Sequence, residues 1–133
     1  MSCASGIYVV NANSQAVSDS GTLNPGTVIR RYGRNVGQIG TGVILDGKGY
    51  YYVNANVVLN ASGAGTVGID LLSDGVVVEG ATATGAVAPD SAVTLPVHAV
   101  IRITCCEKPT TVQVRVRGTG VTVLNSAITV LKV

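Results

Sequence analysis

One histidine, His98, stands in this 133-residue sequence. General acid–base chemistry would have to draw on it or on a pocketed pair of carboxylates. The seven acidic residues are scattered, and Asp46, Asp74, Asp90 and Glu107 stand in turn-like contexts where Asp and Glu are routine. His98 alternates onto the less apolar side of its stretch, which reads as a structural or exposed position. Nucleophilic or redox chemistry would fall to Cys3, Cys105 and Cys106. Three thiols cannot all pair within one chain, and neighbours on a strand point to opposite faces, so a Cys105–Cys106 bond would need an unusual backbone. They read as reduced thiols that act as small hydrophobes in a chain made in the cytosol. With no further Cys or His at ligand spacing, no metal is expected. The glycine-rich stretch 37–42 lacks the Lys-Ser/Thr ending and the helix of a phosphate loop, and reads as a turn. No Ser-centred elbow or dinucleotide fingerprint is present. The expectation is a protein that is not an enzyme and has no cofactor.

The polar residues that remain point to recognition. Arg30, Arg31 and Arg34 could grip an acidic protein surface through bidentate guanidinium pairs, or simply form a solvated strand end whose stems cover Tyr32. Arg102, Arg115 and Arg117 are expected to share the outward face of adjacent strands as a second basic stripe. Such a stripe could meet an anionic glycan or a partner protein, or serve as soluble edge protection. Nucleic acid would need stacking aromatics beside these arginines, and only Tyr32 qualifies, so it is not expected as a partner. The sequon at Asn60, Ala61 and Ser62 matters only in a secreted eukaryotic chain.

These side chains need elements to hold them, and composition says which. There are 24 Val, 13 Thr, 13 Ala and 17 Gly against nine Lys+Arg and seven Asp+Glu, with no Phe or Trp. Residues branched at Cβ suit a pleated sheet, and glycine serves turns and bulges. The low charge excludes intrinsic disorder, and a net charge of +2 is too small to argue for nucleic acid or anionic lipid. Gly, Asn and Thr interrupt every long uncharged stretch, so no membrane-spanning helix is expected. Residues 1–5 lack the basic start and apolar run of a signal peptide, and export by that route is not expected.

Short apolar runs separated by Gly, Asn, Asp and Pro follow one another with no helical period. Residues 7–10 form the first run. The polar segment 11–26 reads as a loop or extended arm. The longest alternation is 50–60, with Tyr51, Val53, Ala55, Val57 and Leu59 on one face and Tyr50, Tyr52, Asn54, Asn56 and Val58 on the other. Runs 67–72 and 76–78 meet across Ser73, Asp74 and Gly75, a strong hairpin signal. Residues 81–88, small and polar, read as a loop. Pro96 removes a ladder donor from run 93–104 and argues for an edge or a bulge there. Val112, Val114 and Val116 alternate with Gln113, Arg115 and Arg117, and a last run covers 121–133. About eight to ten strands at this spacing make one all-β domain over 1–133, a sandwich or jelly roll. Two runs are apolar on both faces: the 50–60 run, and the last, where Ile128 and Val130 oppose Ala127, Leu131 and Val133. A one-sided solvated strand would avoid this, so subunit packing is expected to cover the second face.

The stretch Gly49-Tyr50-Tyr51-Tyr52-Val53-Asn54-Ala55 resembles the Gly-x-Tyr-x-apolar signature of the complement C1q and tumour necrosis factor superfamily. Residues 67–76 are similar to that superfamily's hairpin, and Asn125-Ser126-Ala127-Ile128-Thr129-Val130 to its closing strand. A nearer resemblance is to small bacteriophage and prophage proteins with this jelly roll, which often carry an Ile-x-Arg-(Tyr/Phe)-Gly stretch. Here it reads Val28-Ile29-Arg30-Arg31-Tyr32-Gly33. There is no collagen-like tract, and receptor-ligand function is not carried over. The resemblance implies a C1q/TNF-like antiparallel jelly roll, assembled as a homotrimer and used as a structural virion protein, either a capsid decoration or a head fibre. The expected interface residues are Tyr50, Tyr52, Val58, Ile128 and Val130, and segment 1–26 is expected to be an irregular anchoring arm. The expected partners are itself, a capsid or other virion protein and a host-surface glycan, with no nucleic acid and no membrane. The expected location is the virion surface, after assembly in the bacterial cytoplasm. The alternative reading is a phage-associated module that binds a host-surface carbohydrate or protein through segments 11–24 and 81–91.

Overall fold

The computed structural model describes residues 4–63, 65–89, 91–104 and 108–133. Cys3, Cys105 and Cys106, and the turn acids Asp90 and Glu107, lie outside the described residues. Twelve strands follow one another within them: β1 (Ser5–Asn11), β2 (Gln15–Val17), β3 (Gly21–Thr22), β4 (Thr27–Tyr32), β5 (Val36–Ile39), β6 (Gly42–Leu45), β7 (Gly49–Ala61), β8 (Gly65–Ser73), β9 (Val76–Val87), β10 (Val93–Ile103), β11 (Thr110–Arg117) and β12 (Val121–Lys132). They form two antiparallel sheets. The first runs β10-β7-β12-β1-β4, with β2 also on β12; the second runs β5-β6-β11-β8-β9, with β3 also on β11.

The alternation that marked β7 explains its central place. Tyr51, Val53, Ala55, Val57 and Leu59 are all wholly buried, as five successive inward positions of a pleated strand should be. They meet Val43, Leu45, Ile69, Leu71, Val112, Val114 and Val116 of the second sheet in one aliphatic core. Each such side chain contributes about 1.5–3 kcal/mol on burial. The β8–β9 hairpin turns at Asp74 and Gly75, with φ of 50° and 82°, the two positive values that a two-residue type I′ turn requires. Its tip is tied to β11: the Asp74 N–H donates to the Thr111 carbonyl, and the Thr111 N–H donates to Asp74 Oδ1, both at 2.9 Å. Pro96 sits on β10, an edge strand of the first sheet, where its missing donor costs no ladder bond.

Tyr51 is the one aromatic ring inside the core. Its hydroxyl donates to the carbonyls of Asp46 (3.1 Å) and Gly47 (2.8 Å), closing the turn between β6 and β7. Burial pushes this phenol above its ordinary value of 10.0, and the nearby Asp46 charge adds to the rise. The unfolded chain therefore loses this proton at lower pH than the folded one. Stability from this group is intact below pH ~10 and falls as pH rises above it. Chemical denaturation followed from pH 8 to 11 should show that alkaline loss. Tyr51→Phe should lack this component and start about 1 kcal/mol less stable at neutral pH.

Four expectations are corrected. The described part of segment 1–26, residues 4–26, is not an irregular arm: β1 is an interior strand between β12 and β4, and β2 and β3 are stitched to the two sheets. Its Ser, Asn and Gly residues hid pairings made with the other end of the chain. Residues 81–87 of the expected loop 81–88 are the second half of β9, paired with β8. Ile128 and Val130 do not face outward. They are 2% and 0% exposed within the single chain, because β12 pairs with β7 in a register that sets them against Ala55 and Val53. Arg102, Arg115 and Arg117 do not form one stripe: Arg102 is on β10 of the first sheet, and the other two are on β11 of the second.

Candidate functional site

The outer face of the first sheet is assembled by register. β7 presents Tyr50, Tyr52, Asn54, Asn56 and Val58. Opposite them on β10 stand Arg102, Val100, His98, Pro96 and Thr94. On the other side β12 sets Leu131 against Tyr52, Thr129 against Asn54 and Ala127 against Asn56. β1 adds Tyr8 beside Thr129, and β4 adds Arg30 beside Tyr8 and Tyr32 beside Gly6. Gly6 matters here, because a Cβ at that position would lie 2.6–2.7 Å from the Tyr32 ring, which covers it.

Four of the five tyrosines, Tyr8, Tyr32, Tyr50 and Tyr52, therefore share one face, and the fifth is Tyr51 in the core. Tyr50 is 50% exposed, Tyr32 52%, Val100 62% and Leu131 40%. The Tyr52 and His98 rings are nearly coplanar in orientation, 2° apart, with centroids 6.5 Å from each other. The Arg102 guanidinium lies 5.9 Å from the Tyr50 ring centre, within cation–π range. Among the described residues this face carries no carboxylate. Rigid amphipathic rings beside exposed aliphatic groups make a surface suited to a protein partner, since tyrosine is enriched at interfaces and charge is depleted at their centres.

Of the five residues expected there, Tyr50, Tyr52 and Val58 lie on this face, and Ile128 and Val130 lie beneath it. The face instead includes Leu131, Val100, Tyr8 and Tyr32, which sequence reading did not select. Alternation within the last strand could have flagged Leu131, but only the β7–β12 register shows that it belongs beside Tyr52. The first arginine group is divided. Arg30 stands on the outer face, Arg31 Nε donates to the Val36 carbonyl at 2.7 Å, and Arg34 is exposed in the β4–β5 turn.

A second constellation, missed by sequence reading, sits on the outer face of the second sheet. Asp70 is 2% exposed, although its position in the strand points it away from the core. Arg115 Nε and Nη2 donate to its Oδ2 at 3.1 and 2.7 Å, and Arg117 Nε lies 2.8 Å from the same oxygen. Two guanidiniums thus converge on one carboxylate.

The two facing sheets and their strand order define a jelly-roll β-sandwich of the C1q/TNF type. No protein-family model matches the sequence, and no curated protein matches it. Among solved structures the chain is similar to murine APRIL, with TM-score 0.74 and 14% identity over 98% of this chain and 99% of that one. It is similar also to the globular domain of zebrafish complement 1qA protein, with TM-score 0.70 and 11% identity over 95% and 94% of the two chains. The vertex protein P5 of phage PRD1 gives TM-score 0.68 and 10% identity over 100% and 99%. At these identities the likeness is one of fold.

Proposed function

We propose that this chain is a non-enzymatic structural protein of a bacteriophage or prophage particle, a capsid-decoration or head-fibre module that works as a homotrimer. The observation that carries this reading is the tyrosine face of the first sheet, which holds no carboxylate among the described residues. In a single chain it leaves Tyr8, Tyr32, Tyr50, Val100 and Leu131 exposed together, and such a patch calls for a partner. Tyr50, Tyr52 and Val58, with Leu131 and Val100, are the proposed contacts between copies. Similarity in fold along the whole chain to a phage vertex protein supports the particle as the setting. The mechanism is geometric: subunits bury the apolar face, and the turns and the second sheet remain outward to meet a capsid or other virion protein.

The assembly is tested by light scattering on a sizing column at two protein concentrations. The expected mass is about 40 kDa, three times the 13.4 kDa chain, and it should resist dilution. A 13.4 kDa species at both concentrations would refute the assembly. The setting is tested separately, by antibody labelling of purified particles. A chain absent from the particles would overturn the virion assignment while leaving the assembly intact.

A further inference from the structure

The Arg115–Asp70–Arg117 constellation is more than a stitch between strands. Rows of residues run across the second sheet on its outer face: Thr22, Arg115, Asp70 and Thr82 from β3, β11, β8 and β9, then Arg117, Gly68 and Thr84 from β11, β8 and β9. Two positive side chains and one negative one leave a net positive charge. Asp70 engages both arginines through one oxygen, and the two arginine side chains remain 30% and 38% exposed. The Arg117 Nε is buried but not aligned to donate to Asp70. Its guanidinium lies flat on the sheet because position 68 is glycine; a Cβ there would sit 2.6 Å from Nη2 and 2.9 Å from Cζ. Beside this face the Asp19 Oδ1 accepts the Gly118 N–H at 2.9 Å. The result is a pair of positively charged forks fixed in place by a buried carboxylate and rimmed by the exposed hydroxyls of Thr82 and Thr84.

We infer that this face is a binding site for the carboxylate of an acidic sugar, a uronic-acid residue in a polysaccharide. Fixed guanidiniums suit a planar carboxylate, because the geometry is set before the ligand arrives. The sugar is favoured over an acidic peptide by the backbone. β11 and β8 are interior strands whose main-chain groups are committed to ladders on both sides, so recognition must come from side chains alone. The available side chains are guanidinium and hydroxyl groups, which match the carboxylate and neighbouring hydroxyls of a uronate. The site lies on the sheet opposite the tyrosine face and does not depend on the number of subunits.

The test is a titration of the whole chain with a galacturonic-acid hexamer, reading the arginine Nε–Hε NMR signals. Arg115 and Arg117 signals should shift together and saturate, with a Kd on the order of 1 mM or tighter. Thr84→Glu places a competing carboxylate across from Gly68, where the Arg117 guanidinium lies, and should weaken binding about tenfold or more with the strand spectrum kept. Thr82→Val should weaken it by a smaller factor. A neutral glucose hexamer should leave both signals in place. The proposal is overturned if the galacturonate moves neither signal, or if Thr84→Glu binds as well as the parent. Equal or tighter binding of a glutamate hexapeptide or of inorganic sulfate would also overturn it, since the site would then hold anions without recognising a sugar.

Discussion

Val130→Asp is expected to leave the chain unfolded, whereas Tyr52→Asp is expected to leave it folded and alone. Both positions lie in apolar surroundings on adjacent strands, and a carboxylate at either meets a protein surface in the proposed assembly. The difference is which surface. Val130 is fully buried in the single chain, set by register against Val53 on one side and Ile7 on the other. An unpaired carboxylate there finds no donor and no water, and the loss should exceed about 4 kcal/mol, a large part of the stability of a domain this size. Circular dichroism should show a lost sheet signal, or the protein should collect in the insoluble fraction. Tyr52 sits on the outer side of β7, where a monomer can hydrate the new charge. The variant should keep its strand spectrum and still unfold cooperatively, while its mass falls from about 40 kDa to 13.4 kDa. If Val130→Asp folds and merely dissociates, the β7–β12 register is wrong. If Tyr52→Asp keeps the mass of three chains, the tyrosine face is not the interface.

The second large effect concerns Asp70. Asp70→Ala removes the shared acceptor of two arginines and leaves their charges side by side on one face of β11. Breaking a buried ion pair from one side costs about 3–5 kcal/mol. The arginine side chains are 30% and 38% exposed, so water recovers part of that. A loss of about 2–3 kcal/mol is expected, or roughly 10 °C in melting temperature for a domain of this length. The companion experiment replaces all three residues at once, Asp70→Leu with Arg115→Met and Arg117→Met. Apolar replacement of a whole buried ionic group is often neutral, so much of the lost stability should return. If the single change leaves melting unaltered, the carboxylate is not the anchor of the two guanidiniums.

Much of the fold was legible because its signals were local. The alternation in β7 reads directly from successive residues, and Asp74-Gly75 between two apolar runs specifies a turn by its own dihedral needs. What escaped had causes that lie across the sheets. β12 is apolar on both sides, so a period of two assigns its residues to two faces without saying which is inner. A register shift between Val123 and Asn125 also interrupts its pairing with β7. That is why Ile128 and Val130 were expected outside. The second half of β9 is built from Ala, Thr and Gly, which lack the bulk that marks a strand, and it is held in the sheet by its pairing with β8. Asp70 and Arg115 are 45 residues apart, and no spacing rule connects them. The basic stripe expected from Arg102, Arg115 and Arg117 failed for the same reason: alternation gives a residue's side of its strand, not the sheet to which that strand belongs.

The distribution of the aromatic rings makes the molecule its own optical reporter. With no tryptophan, all near-ultraviolet emission comes from five phenols, and four of them stand on the face proposed to meet other copies. Dilution, a partner or a quencher such as iodide will act on those four together, while Tyr51 supplies a shielded background that changes when the chain unfolds. Assembly and folding can therefore be followed separately in the unlabelled protein, by whether the quencher-accessible or the protected fraction of the emission moves first.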